Sequence, residues 1–298
     1  MSGTPGGPVG RHLAQPAPEL PVIAASDLDR TLIYSGKAAR LGLEPDADPT
    51  ELLRDLACVE IYESKPLSHV TQAAHRSIAA LAGLGVLVPA TTRTRSQYKR
   101  ITLPGPPARF AVTANGGFIL VDGHADKAWT AQVAQVLAAS SHPYAEVEGY
   151  MQSVFKPEWT RKLRGAEGLF CYAVVHRSDV PDGFVEEVTE WAQAHGWRAS
   201  LQGRKFYLVP DELRKGSAVA EVARRVGAQT ILAAGDSLLD AEMLETATHA
   251  IRPAHGELHD VGWSTPGLTV TPSAGAAAGE EIAAWLLASA TEHLAPRA

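Results

Sequence analysis

Val22-Ile23-Ala24-Ala25-Ser26-Asp27-Leu28-Asp29-Arg30-Thr31 decides the fold: an apolar run of strand length ends in two carboxylates two residues apart, with a hydroxyl two residues further on. Alternate residues of a strand share one side, so Asp27 and Asp29 reach the same pocket if the strand stops there. In an open α/β sheet, ligands bind at the carboxyl ends of the strands. A carboxylate pair at that edge suits two-step group transfer, with Asp27 attacking as nucleophile while Asp29 gives and later takes a proton.

Working outward, Val70 to Leu84 carries apolar residues at helical spacing and ends in Gly85. Val86 to Ala90 is a short buried strand running into Thr91-Thr92-Arg93, and a third strand, Phe110 to Thr113, runs into the turn signal Asn115-Gly116-Gly117. This order implies a parallel sheet. Leu32 to Pro66 mixes Gly, Pro and acids and reads as an extended loop with one helix near Glu51 to Ala57, long enough to suggest a lid. The middle changes character, with helical Trp129 to Ala139, a strand at Leu169 to His176, an amphipathic helix at Phe184 to His195 and a strand at Trp197 to Leu201. Alternating units then resume with strand Phe206 to Val209, helix Gly216 to Val226, strand Thr230 to Ala234 and helix Leu239 to Ala247. Short strands at Ala250-Ile251 and Leu268-Thr269-Val270 and a closing helix at Ala276 to Ala290 complete the pattern.

Composition excludes several classes. The 298 residues, 45% hydrophobic and 20% charged, read as soluble and globular and suffice for one large domain or two ordinary ones. A net charge of -6, a pI near 6.0 and the lack of any long Lys/Arg run argue against a nucleic-acid partner. Cys58 and Cys171 lie far apart without a CxxC pattern, which fits a reducing cytoplasm, and both read as ordinary buried thiols. No apolar stretch approaches a membrane span, and the Gly/Pro-rich opening Met1 to Pro21 lacks a signal-peptide core. That opening reads as a disordered tail, and the expected location is the cytoplasm.

Four short segments fall where predicted elements meet one sheet edge: Asp27-Leu28-Asp29-Arg30-Thr31, Thr91, Lys215 at the start of a helix, and Gly235-Asp236-Ser237-Leu238-Leu239-Asp240. In this order, with a cap-sized insertion between the second and third, they resemble the four motifs of the haloacid dehalogenase superfamily of phosphohydrolases. The layout is similar to the Cof-type and sucrose-phosphatase-like branch with an α/β cap, over residues 20 to 290. Asn115-Gly116-Gly117 also resembles the turn before the cap in that branch. The resemblance implies an α/β fold with a Rossmann-like, doubly wound parallel sheet core over 20–122 and 206–292. An α+β cap is inserted at 123–205, behind a disordered tail at 1–19.

The resemblance also implies roles. A carboxylate attacks a phosphate dianion only when a cation neutralises the charge between them, and Mg²⁺ fits that need. Asp27, the backbone carbonyl of Asp29 and the carboxylate of Asp236 are its implied ligands, with Asp240 orienting a metal water or Lys215 from behind. Lys215 bridges the nucleophile and a phosphoryl oxygen, and Thr91 donates to another, with Thr92 or Thr94 as alternatives. Asn115 is placed with the phosphate-binding residues. Lys205 and Arg214 compete with Lys215 for the cationic role. Asp29 favours hydrolysis, because the pump branch of the superfamily has Thr there. The sequence departs from the family at Arg30, where relatives carry Gly or another small or apolar residue.

Other features have duller readings beside the sharp ones. His255 and His259, at i and i+4, suit a metal pair, but Pro253 and Gly256 argue for a loop. Arg161, Lys162 and Arg164 form a basic cluster that suits either a solvated face or an anionic leaving group. Trp159, Trp191 and Trp197 read as cap packing residues, and Gly203-Arg204-Lys205 suits a cap-core hinge. The expected function is Mg²⁺-dependent hydrolysis of a small phosphorylated metabolite, a sugar phosphate by default. The alternatives are a phosphomutase, or a phosphate-ligand-binding regulatory protein without turnover.

Overall fold

The computed structural model describes residues 19–43 and 50–295; the tail expected at 1–19 lies, apart from Glu19, outside the described residues. The chain opens with β1 (Val22–Ser26), α1 (Thr50–Asp55), β2 (Leu56–Tyr62), β3 (Lys65–Thr71), α2 (Gln72–Gly83), β4 (Leu87–Pro89) and α3 (Arg95–Tyr98). It continues through β5 (Phe110–Thr113), β6 (Phe118–Val121), β7 (His124–Ala125), α4 (Lys127–Ser140), α5 (Tyr144–Val154), β8 (Thr160–Ala166), β9 (Phe170–Val175), α6 (Phe184–Ala194), β10 (Trp197–Gln202) and β11 (Lys205–Pro210). It closes with α7 (Lys215–Val226), β12 (Thr230–Ala234), α8 (Ala241–Thr246), β13 (His249–Arg252), α9 (Glu257–Asp260), β14 (Leu268–Val270) and α10 (Gly275–Leu294).

The core sheet is parallel, in the order β14-β13-β12-β1-β4. The interior strand β1 shows why the chain doubles back on both sides. Val22 and Ala24 of β1 pack into one apolar cluster with Ile78 and Leu81 of α2 and Ile282 and Leu286 of α10, while Ile23 and Ala25 face Val219 and Val222 of α7. A strand buried on both faces reads as a continuous apolar run, and such a strand belongs in the middle of an α/β sheet. Thr71 caps α2 by accepting the Ala74 amide, and α7 ends at Gly227, whose left-handed φ of 71° a side chain would strain.

Over the carboxyl edge of this sheet lies an antiparallel sheet in the order β10-β11-β9-β8. Its far face carries Cys171, Ala173, Phe206 and Leu208 against Val147 and Met151 of α5 and Val188 and Ala192 of α6. Trp159 and Trp197 are buried in this cluster, in the packing role expected of them.

Three expectations change. The strand at Phe206 to Val209 does not resume the parallel sheet; it is β11, paired with β9 and β10 in the cap. Its residues are buried on both faces, one side under the cap helices and the other over the cavity, so it has the pattern of a central parallel strand. Leu32 to Pro66 is not an extended loop, since β2 and β3 form a hairpin from Leu56 to Thr71 after the short helix α1. Cys171 is buried as expected, but Cys58, on that hairpin, is exposed. The third strand, β5, joins β4 through a parallel bridge between Ala90 and Val112 and then turns antiparallel into β6.

Candidate active site

The loops that end β1, β4 and β12 meet the amino end of α7 at one point. Because β1 lies between β12 and β4, the Asp27 amide donates to the Ala234 carbonyl at 2.9 Å, and the Ala90 amide donates to Ser26 at 2.7 Å. Asp236 and Thr91 therefore flank Asp27 on either side. Lys215, the first residue of α7, is 1% exposed and donates through Nζ to Asp27 Oδ1 and to Asp240 Oδ1, each at 2.6 Å. The second Asp240 oxygen accepts the Asp236 and Ser237 amides at 3.2 and 3.0 Å and the Ser237 hydroxyl at 2.8 Å. Asp240 is thus a fixed bracket for both the ammonium and the loop carrying Asp236. Gly235 makes this packing possible, since a Cβ there would collide with the Asp240 side chain.

Charge is unbalanced at this point. Oxygens of Asp27, Asp236 and Asp240 lie within 4.8 Å of one another, and among the described residues Lys215 is the single ammonium bonded to them. Burial, only partly offset by Lys215 and reinforced by Asp240 and Asp29, pushes the Asp27 carboxyl up to about 7. Burial likewise drives Asp236 well above the ordinary carboxylate range, with Asp27 and Asp240 adding to it. Arg30 lies across from Asp236, its Nε 3.7 Å from Oδ2 and without a hydrogen-bond partner, in a left-handed conformation with φ 67°. Crowded hard oxygen donors with surplus negative charge suit a divalent cation such as Mg²⁺.

Asp29 stands apart, with 46% of its side chain exposed toward the cavity. The Arg93 guanidinium grips it with a two-pronged bond, Nε to Oδ2 and Nη2 to Oδ1, both 2.7 Å. Desolvation pushes its carboxyl up, but Arg93 outweighs this and holds it below the usual range. The same guanidinium reaches Glu60 of β2 at 2.8 Å, which in turn accepts the Ser68 hydroxyl of β3 at 2.6 Å and Arg100 at 3.0 Å. The hairpin is thereby tied to the second carboxylate. Sequence reasoning passed over both Arg93 and Glu60; Arg93 was visible beside Thr91 and Thr92, whereas Glu60 depends on the hairpin.

Asp27, Asp29, Thr91, Thr92, Thr94 and Asp236 all line one cavity of about 430 Å³ between the core edge and the cap sheet. Thr91 accepts the Arg93 amide at 3.1 Å and keeps its hydroxyl proton to donate, whereas Thr94 is engaged in capping α3. Asn115 does not line the cavity. It is fully buried in a left-handed turn and donates to the Leu213 carbonyl at 2.7 Å, which anchors the approach to Lys215. Arg214 is turned to the Asp211 carbonyl at 2.6 Å, and Lys205 is on the cap side of the cavity. His255 and His259 form no metal pair. The His255 Nε2 donates to the Arg30 carbonyl at 2.8 Å and Nδ1 accepts the Gly275 amide at 3.1 Å. Gly203-Arg204 is the tight turn between β10 and β11, over the cavity.

The fold is a doubly wound sheet with a cavity at its carboxyl edge and an α+β cap above it. No protein-family model matches the chain. Among solved structures it is similar to the sucrose-phosphatase of Synechocystis in complex with sucrose and phosphate, at 16% identity and a TM-score of 0.61 over 90% of this chain and 98% of that one. A phosphatase of the haloalkanoate (HAD) superfamily from Bacteroides thetaiotaomicron aligns at 16% identity and a TM-score of 0.50, over 97% and 99%. In sequence, the chain is 32% identical over 113 residues to a phosphoglycolate phosphatase of Aeropyrum pernix, which covers 37% of this chain and 45% of the relative. The chain thus spans less than half the length of that curated relative.

Proposed function

We propose that the protein is a Mg²⁺-dependent phosphomonoesterase acting on a small phosphorylated metabolite through an aspartyl-phosphate on Asp27. The observation that carries this reading is the bridge from Lys215 to Asp27 and Asp240 at 2.6 Å, set beside Asp236 on the floor of the cavity. The likeness to sugar phosphatases in fold and to a phosphoglycolate phosphatase in sequence supports it.

In this reading the Asp27 carboxylate attacks phosphorus, forming the acyl-phosphate bond as the bond to the alcohol oxygen breaks. Lys215, immobilised by two carboxylates, faces the charge building on the equatorial oxygens, and Thr91 donates to another of them. Asp29 protonates the departing oxygen and then takes a proton from the water that releases phosphate and restores Asp27. Its Arg93 grip suits the second, basic task; the arriving phosphate dianion raises the Asp29 pKa for the first. Asp27, Asp236 and the Asp29 carbonyl would hold the Mg²⁺, whose contribution is to offset the repulsion between carboxylate and phosphate. The cap, over the cavity, selects the leaving group and excludes water from the first step.

The test is phosphate release across a panel of phosphomonoesters with Mg²⁺ and with chelator. Release that stops on chelation supports the reading. Silence across the panel refutes it, and transfer of the phosphoryl group to a second hydroxyl without free phosphate marks a mutase.

A further inference from the structure

The register of the cap sheet decides what its cavity face offers a substrate. Directly paired residues of antiparallel strands share a face, and Tyr172 pairs with both Arg164 and Tyr207, while Val174 pairs with Lys162 and Lys205. Tyr172, Val174, Lys205 and Tyr207 line the cavity, so this is the face turned toward the carboxylates of the core. By register it carries Lys162, Arg164 and Lys205, of which Lys205 lines the cavity while the other two, on the outer strand β8, do not, and none of its paired positions on β8, β9 and β11 is an acid. The adjoining turn adds Arg204 to the cavity lining, and Gly203 in the same turn packs toward the Arg30 guanidinium.

The floor of the cavity differs in kind. There the cations are committed: Lys215, buried behind Asp27 and outside the lining, to Asp27 and Asp240, Arg93 to Asp29 and Glu60, and Arg30 opposite Asp236. On the roof, Arg204 and Lys205 take part in no salt bridge among the described residues, and neither do Lys162 and Arg164 beyond it on β8. The Lys205 ammonium lies 5.7 Å from the Tyr172 ring centre and 6.0 Å from that of Tyr207, and the two rings are 5.4 Å apart. Aromatic faces at this distance steady an ammonium and leave its charge intact. Asp29 of the floor acts on Lys205 electrostatically without forming an ion pair with it, and a phosphoryl group received by the floor leaves the rest of this roof charge unmatched. A neutral alcohol does not match it either.

We propose that the alcohol half of the substrate carries a second negative charge, a carboxylate or another phosphate, which Lys205 and Arg204 receive against the Tyr172 and Tyr207 rings. The proposal rests on the phosphomonoesterase reading and narrows it, separating charged esters such as phosphoglycolate from neutral sugar phosphates. Lys205 and Arg204 are specificity residues in this account; the reacting atoms belong to the floor.

The experiment compares kcat/KM of the wild type for 2-phosphoglycolate and 3-phosphoglycerate, for fructose 1,6-bisphosphate, and for glycerol 1-phosphate and glucose 6-phosphate as esters of neutral alcohols. The wild type is expected to favour at least one charged group by tenfold or more, and whichever of carboxylate and phosphate leads names the source of the charge. Lys205→Met and Arg204→Gln are each expected to cut the charged-to-neutral ratio at least fivefold, chiefly through KM, while Lys205→Arg keeps it. Equal or greater turnover of the neutral esters by the wild type, or a ratio unmoved in both variants, overturns the proposal and leaves the phosphatase reading standing. Calorimetry with phosphonoacetate and ethylphosphonate covers the opposite case. If no ester is hydrolysed, tenfold tighter binding of phosphonoacetate, lost in Lys205→Met, sustains the anionic subsite without the phosphatase; equal binding of the two removes both.

Discussion

At the scale of single residues, the site is a balance between buried acids and one ammonium, and each side of it predicts a different failure. In the proposed reading Asp27→Asn removes the nucleophile, and it is expected to lower phosphate release about a thousandfold or more. The same change removes a buried charge whose carboxyl is already pushed to about 7, so the variant should melt no lower than wild type in chelator. A variant retaining wild-type turnover would refute the assignment of Asp27. Lys215→Met does the reverse, leaving Asp27 and Asp240 buried without their shared counter-charge. Its expected cost is about 3–5 kcal/mol in urea denaturation without metal, against no loss if the ammonium were incidental. Asp27, Asp29, Asp236 and Lys215 were legible in sequence because each lies where an apolar run stops or a helix starts, a signal contained in a few neighbouring residues. Asn115 was legible as a turn but not in its task, since its amide meets a carbonyl 98 positions away. Arg93 escaped for the same reason, its partners being Asp29 and Glu60 on separate segments.

At the scale of elements, sequence periodicity conveyed most helices and strands of the core and part of the cap, but it missed α5 and β8 of the cap and the β2–β3 hairpin, and it misplaced pairing. β12 and α7 are found where apolar spacing put them, but β11 was assigned to the wrong sheet because burial on both faces looks alike in either. The β2–β3 hairpin was lost because its two-residue turn is Glu63-Ser64, at φ 49° and 61°, in place of the Asn-Gly or Asp-Gly that announces such a turn. A second join between elements carries a prediction. Glu257, at the start of α9, accepts the Ser200 hydroxyl of β10 at 2.8 and 3.1 Å and the Leu238 amide at 3.0 Å, so one carboxylate links the cap sheet to the loop holding Asp236 and Asp240. A hydrogen bond to a charged group contributes about 1.5–3 kcal/mol. Ser200→Ala is therefore expected to raise KM roughly tenfold by loosening the cap, with faster amide exchange across Trp197–Gln202. Unchanged KM and exchange would show that the cap is positioned by its apolar contacts alone.

At the scale of the whole molecule, the turn after β1 is held from the opposite end of the chain. His255 spans Arg30 and the amino end of α10, donating to one backbone carbonyl and accepting from one backbone amide. The accepting nitrogen can do so only unprotonated, and burial depresses the His255 pKa from 6.5 to about 4, with the nearby Arg30 and His259 charges acting in the same direction and the bond to Arg30 against it. Above pH 6.5 the imidazole is neutral in folded and unfolded chains alike, so this link is at full strength. Between 6.5 and 4 the unfolded chain binds a proton that the folded one refuses, and stability falls as the pH falls. The loss approaches about 3 kcal/mol by pH 4 and is roughly 2 kcal/mol at pH 5. A glutamine at this position offers one donor and one acceptor and does not titrate. Denaturation of wild type and His255→Gln at pH 7 and pH 5 isolates the effect, because the carboxylates titrate equally in both. The wild type is expected to lose about 2 kcal/mol more than the variant between the two pH values; identical losses would show that the imidazole link does not govern the acid sensitivity of the fold.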